Sequence, residues 1–155
     1  MYQAMDDYGN FILKLAGVLV IALIIWFVIS PYLNPTPIIE VKDCTLTSDT
    51  VPNNGITTIT ITLKNNHKDN AYTIKIEFSS HSLVTFMLGS QELPKENGVW
   101  YFEDTLNPGA THTQEIKVKA SLENGIAKIA YRITLNFYRE GQHFYGKNFD
   151  LNVQR

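Results

Sequence analysis

The feature that most constrains this chain is its single uninterrupted apolar run, Phe11 to Ser30, FILKLAGVLVIALIIWFVIS, which holds one charge, Lys14. About 20 apolar residues rising ~1.5 Å each match the ~30 Å hydrocarbon layer of a bilayer. The run is therefore read as a transmembrane helix, because a helix satisfies its own backbone hydrogen bonds where no water can. The competing reading, a buried helix of a soluble domain, fits shorter apolar stretches better.

The edges of the run agree with that placement. Tyr8 precedes it, and Trp26 and Tyr32 mark its far end, where amphipathic rings prefer the interface between headgroups and chains. Lys14 sits less than one turn inside and can snorkel back to the near surface. Lys14, Trp26 and Tyr32 are thus the expected membrane-anchor residues. The position four after Gly17 is Ile21, so no GxxxG pair supports dimerisation of the helix.

Residues 1–10 form a short tail, MYQAMDDYGN, with Asp6 and Asp7 and no Lys or Arg. Only Lys14 and the amino terminus speak for a cytoplasmic start. A cleaved signal peptide needs a basic start, a shorter apolar core and a small-x-small site. Here the run ends WFVISPYLNP, so an uncleaved signal-anchor over 11–30 is expected, with the C-terminal part outside the cytoplasm. Residues 31–37, PYLNPTP, hold three prolines and predict a short stiff spacer.

The 125 residues after position 30 suit one domain with a real core. Removing Lys14, Asp6 and Asp7 from the totals of 13 and 15 leaves 12 Lys and Arg against 13 Asp and Glu. That balance offers no basic surface for nucleic acid. Cys44 is the only cysteine, so no internal disulfide forms, and its strand-like flanks favour burial. Asn34-Pro35-Thr36 is disqualified as a glycosylation acceptor by its proline.

Period-two alternation dominates residues 38–155. Ile38 to Thr47 reads as a first strand with an irregularity near Asp43, followed by the turn residues Val51-Pro52-Asn53-Asn54-Gly55. In TTITITLK, Ile59, Ile61 and Leu63 point one way and Thr58, Thr60 and Thr62 the other. After the polar turn 65–70, YTIKIEF sends Ile74, Ile76 and Phe78 inward and Lys75 and Glu77 outward, and this strand is expected to pair with the one before it. Shorter strands follow at 83–88 and 99–102, then Ile116 and Val118 face inward in TQEIKVKA. Ile129, Tyr131, Ile133, Leu135 and Phe137 form the longest alternating set, joined through 139–142 to a last strand as a hairpin. Seven or eight such strands without helical period predict a mainly β fold, an antiparallel β-sandwich over 38–155.

Chemistry-bearing residues do not cluster in the sequence. His67, His81, His112 and His143 are far apart and make no HxH, HExxH or CxxC pattern, and a copper site would want its Cys late in the domain. Cys44 lacks a nucleophile turn. Glu115, Glu123, Asp104 and Asp150 read as outward or turn carboxylates rather than an acid–base pair. No catalytic residue, cofactor, metal or small-molecule substrate is predicted. Tyr138, Phe144 and Tyr145 are the candidate partner-binding residues, since aromatics on an outward strand face anchor partners, whereas Trp100 reads as core.

The segments VPNNGITTITITLKNNHKDNAYTIKIEF (51–78) and LNPGATHTQEIKVKA (106–120) resemble the Ig-like CARDB-type sandwich modules of archaeal surface proteins. The shared features are Gly before a strand, an Asn-rich turn and Leu-x-Pro-Gly ahead of a later strand. One N-terminal helix joined to one sandwich is also similar in layout to archaeal-flagellum stator proteins, whose sandwich contacts the surface layer. The resemblance implies an Ig-like fold and an extracytoplasmic location, and no catalytic residue carries over.

The expected protein is a single-pass, membrane-anchored, non-enzymatic β-sandwich that binds the lipid bilayer through 11–30 and another cell-envelope or membrane-complex protein through its domain. The alternative is an accessory subunit of an integral-membrane metalloenzyme or redox complex.

Overall fold

The computed structural model describes residues 2–33 and 37–155, with side chains placed at 12, 14–28 and 37–155. It divides into two compact units, residues 1–37 and 38–155.

Among its described residues the first unit holds one helix, α1 (Tyr2–Leu33). It extends beyond the apolar run at both ends, so residues 2–10, expected as a tail, are helical. The first spacer residues, Pro31 to Leu33, are helical too. A proline this close to a helix end forfeits one N–H bond without stopping the last turn. The large apolar side chains described here are exposed, from Ile25 at 51% to Phe27 at 73%. Among the described residues no helix is long and apolar enough to cross a membrane. The span expected over 11–30 reaches past the side chains described in α1, and the side chains of Tyr8 and Tyr32 lie outside them.

The second unit is mainly β, with two sheets stacked as a sandwich. One sheet has the order β1 (Ile39–Leu46), β3 (Gly55–Asn65), β9 (Thr111–Ala120), β5 (Val84–Leu88), β6 (Gln91–Glu92). The other runs β2 (Thr50–Pro52), β11 (Gln142–Gln154), β10 (Lys128–Arg139), β4 (Tyr72–Ser79), β8 (Val99–Leu106), β7 (Lys95–Glu96). The alternation read from the sequence sets the inner layers. Ile59, Ile61 and Leu63 face Ile74, Ile76, Phe78, Ile133, Leu135 and Phe137 in one core, while Thr58, Thr60 and Thr62 are only half-buried. Each fully buried side chain of this size contributes roughly 1.5–3 kcal/mol of burial.

The first strand is irregular where expected: the β1–β3 register shifts between Val41 and Asp43. That bulge flips the pleat, so Ile39 is buried before it and Cys44 after it. Next to it, β2 leaves the first sheet and pairs parallel with β11. The turn back into β3 needs Gly55, because a Cβ there would lie 2.6 Å from the Pro52 carbonyl oxygen.

One expected pairing does not occur. β3 and β4 are not neighbours, since β3 pairs with β1 and β9, and β4 with β10 and β8. The Asn-rich connection crosses between the sheets instead, so the two apolar rows meet face to face across the core. Asn65 makes the crossing possible: it is fully buried, and its side-chain amide donates to the carbonyls of Asn70 (2.8 Å), Leu106 (3.1 Å) and Asn107 (3.1 Å). Its carbonyl oxygen accepts from the His67 N–H at 2.9 Å. A hairpin turn has no such claim on a buried amide.

The β10–β11 hairpin forms as expected, through a two-residue turn with Glu140 at φ 48° and Gly141 at φ 78°. Two positive φ angles match the twist of the flanking strands.

Candidate partner-binding face

The register of the six-stranded sheet determines which side chains share its outer face. Lys75 lies opposite Glu103 of β8 and Tyr138 of β10, and Glu77 opposite Tyr101 and Asn136. This builds a polar and aromatic surface over the middle of the sheet. Lys75 Nζ sits 3.1 Å from Glu77 Oε1, 3.9 Å from Glu96 Oε2 and 4.9 Å from the centre of the Tyr101 ring. The hydrogen bond to Glu77, with the charges of Glu77, Glu96 and Glu103, raises the Lys75 pKa against the opposing effect of desolvation. Burial first, then the charge of Glu77 and a hydrogen bond to it, raise the pKa of the Tyr138 phenol.

A depression of about 540 Å³ opens here, walled by Lys75, Glu77, Glu103 and Tyr138, with Thr73 and the Glu140-Gly141 turn at one end. Its character is an aromatic ring and a lysine set among carboxylates. Such a surface suits recognition of a polar protein segment, with Tyr138 and Tyr101 giving ring area at low entropic cost.

Of the residues singled out from the sequence, Tyr138 alone stands on this face, its ring 5.5 Å from that of His143. Phe144 and Tyr145, expected to point outward, are half-buried and both lie against Phe137, with ring centres 6.2 and 5.2 Å away. The cause is a second bulge: the β10–β11 register shifts between Phe137 and Tyr138, which leaves Phe144 without an opposite residue and turns two consecutive aromatics toward one core ring. Trp100 is core, its Nε1–H donating to Glu92 Oε1 at 3.1 Å and its ring covered by Lys95 Nζ at 3.8 Å. In α1, Lys14 is exposed and Trp26 is 69% exposed. Lys75, Tyr101 and Glu103 were not recognisable as one site in the sequence, because β4 and β8 are twenty residues apart and only their pairing brings these side chains together.

The histidines stay apart. His67 Nδ1 accepts the N–H groups of Asp69 and Asn70 at 3.2 and 3.0 Å, and His81 stacks on Tyr131 at 5.2 Å. His112 Nδ1 lies 2.7 Å from Asp104 Oδ2, a pair that joins β9 of one sheet to β8 of the other. Asp104, read as an outward or turn carboxylate, thus belongs at the margin between the sheets. Among the described residues no three His, Cys, Asp or Glu side chains come together as a metal site. Burial of Cys44 pushes its thiol up to about 11 despite the nearby charge of Lys147, so it is protonated at neutral pH.

No protein-family model matches this chain, and no curated protein does. Among solved structures it is similar to the Pseudomonas fluorescens alkylpurine DNA glycosylase AlkC bound to DNA containing an abasic site analog, at 8% identity over 76% of this chain and 31% of that one, TM-score 0.47. It is similar also to Spo0M, the sporulation control protein of Bacillus subtilis, at 15% identity over 77% and 51%, TM-score 0.46. A third is native E. coli alpha-2-macroglobulin, at 15% identity over 77% and 7%, TM-score 0.49. The chain therefore spans about half or less of the length of each of these proteins. Likeness at this level says nothing of function.

Proposed function

We propose that this chain is a membrane-anchored, non-enzymatic binding subunit of a cell-envelope or membrane complex. In this reading α1 crosses the bilayer, Lys14 and the amino terminus stay in the cytoplasm, and residues 38–155 form an Ig-like domain outside it that docks through the Tyr101–Lys75–Tyr138 face. The observation that carries the reading is α1. Its large apolar side chains from Val18 to Val28 are all more than half exposed. Apolar surface on that scale calls for lipid or a partner.

Three features of the sandwich support the Ig-like part. Strands β1, β3, β9 and β5 oppose β11, β10, β4 and β8, the division found between the two sheets of Ig-type domains. The first strand is split between sheets as β1 and β2. Near the start of β10, the Tyr131 hydroxyl donates to the Ser121 carbonyl at 2.8 Å across the β9–β10 connection, in the manner of a tyrosine corner. The departure is that the chain visits β5 before β8. The CARDB-type sequence resemblance and the layout of archaeal-flagellum stators point the same reading toward an archaeal envelope.

Two measurements test it. The full chain should stay with membranes after alkaline carbonate extraction, and protease added to intact cells should digest the domain. Release by carbonate overturns the anchor; a domain that resists protease until lysis, in an envelope shown to admit the protease, overturns the outside placement. Tyr101→Ala combined with Tyr138→Ala should abolish co-purification of the partner from detergent extracts while the melting temperature is kept. Unchanged co-purification removes this face from the proposal.

A further inference from the structure

The last strand carries an outer edge that is paired over only part of its length. β11 is 13 residues long, yet on its outer side it pairs only with β2, at residues 152–154. The Asn152 N–H donates to Asp49 and the Gln154 carbonyl accepts from Asn53, so the even-numbered residues turn their backbone groups to that side. By the two-residue repeat, the N–H and C=O of Gly146, Asn148 and Asp150 face outward as well, and among the described residues no strand meets them. The bulge at Phe144 ends the regular edge on one side and β2 ends it on the other. The open window is 145–151, and its midpoint is Asn148.

From this we infer that the edge of β11 is a self-pairing surface. Residues 145–151 of two copies join antiparallel about a two-fold axis at Asn148, which continues the six-stranded sheet from one copy into the other. The sequence of the window, YGKNFDL, is compatible with itself in this register. Tyr145 lies opposite Leu151, Gly146 opposite Asp150, Lys147 opposite Phe149, and Asn148 opposite Asn148. All three outward residues of each copy stand in hydrogen-bonded pairs, giving about six backbone bonds.

Neighbouring registers fail. An axis at residue 147 sets Lys147 against itself, and like charges directly opposite are unfavourable. An axis at residue 149 brings residue 146 opposite 152, where β2 already sits.

Two local features fit the joint. Gly146 has no positive φ, and a Cβ there would meet nothing closer than 3.7 Å, so nothing within the chain requires glycine. In the joint, the bare position leaves room for Asp150 of the second copy, held by its own Arg132 at 3.1 Å. Lys147 stands in the inner row of an edge strand, where a charge ordinarily discourages pairing. Its ammonium lies 5.7 Å from the centre of its own Phe149 ring, and the joint places a second such ring opposite it. A seven-residue edge buries little area, so the dimer belongs to the weak end of specific interfaces. The inference is independent of whether α1 lies in a bilayer.

The test uses the full chain in detergent or lipid, with Cys44→Ala as background. Paired residues of this kind have Cα atoms about 5.5 Å apart, within disulfide reach. Asn148→Cys should form a disulfide-linked dimer at least about ten times faster than Thr60→Cys on the outer face of the other sheet, because pairing raises the effective concentration at that one position. Asn148→Pro removes an outward N–H and leaves the β10–β11 ladder intact; sedimentation should show the dimer lost. Equal cross-linking at 148 and 60, a dimer that survives Asn148→Pro, a monomer at every concentration, or a strand of a different protein bound at this edge would each overturn the inference.

Discussion

Glu140 and Thr73 exchange two hydrogen bonds: the Thr73 N–H donates to Glu140 Oε1 at 2.9 Å, and the Glu140 N–H donates to the Thr73 carbonyl at 3.2 Å. The turn that ends β10 thereby continues the sheet onto the first residues of β4 and closes one end of the outer-face depression. Glu140 does this at φ 48°, a conformation a side chain resists. Glu140→Ala keeps the strain and loses the side-chain bond, and should destabilise by about 1 kcal/mol. Glu140→Gly loses the same bond but relieves the strain, so it should come out more stable than Glu140→Ala in urea titration. Equal stability of the two variants would show that the turn is not strained.

Asn65 is the polar residue on which the crossover between sheets depends. Asn65→Ala removes the amide that the carbonyls of Asn70, Leu106 and Asn107 share and the side-chain acceptor of the His67 N–H, and should cost about 1–3 kcal/mol. Asn65→Asp should cost more at pH 7, since a carboxylate would face those oxygens, and part of that cost should be recovered as the pH falls and the new carboxyl gains a proton to donate. An Asp variant whose deficit does not shrink on acidification would contradict this account.

The two faces of β3 should respond differently. Leu63 is buried, so Leu63→Ala should cost about 2–5 kcal/mol. Thr60 is half-buried on the outer face, and Thr60→Ala should stay within about 0.5 kcal/mol. Chemical denaturation of both variants gives the comparison.

Cys44 links stability to alkaline pH. Its thiol titrates near 11 in the fold against 9.0 when free, so between these values the unfolded chain binds fewer protons than the native one. Stability from this group is therefore intact below pH 9 and falls as pH rises toward 11. Unfolding titrations from pH 8 to 11 should show a steeper decline for the native sequence than for Cys44→Ala. At pH 7.5 a thiol reagent should modify Cys44 at the rate of unfolding; rapid modification of the folded protein would place the thiol at the surface.

Much of this protein was determined along the chain. The 20-residue apolar run, too long for an ordinary strand, lies in a helix, and alternation at Ile59-Ile61-Leu63, Ile74-Ile76-Phe78 and Ile133-Leu135-Phe137 fixes which row of each strand is core, because the pleat has a period of two. The β10–β11 hairpin was equally legible, since its strands are local partners. The tertiary structure alone decided what depends on non-local pairing. Whether β4 lies beside β3 or across the core from it is not written in either strand's alternation, which is satisfied both ways; buried Asn65 and the pairing of β4 with β8 and β10 choose the crossing. The bulge at Phe144 turns two aromatics inward that strict alternation would have divided between faces. Lys75, Tyr101 and Tyr138 become one surface only when three strands, distant in sequence, come into register, since a strand fixes the side its residues face and the sheet fixes their neighbours.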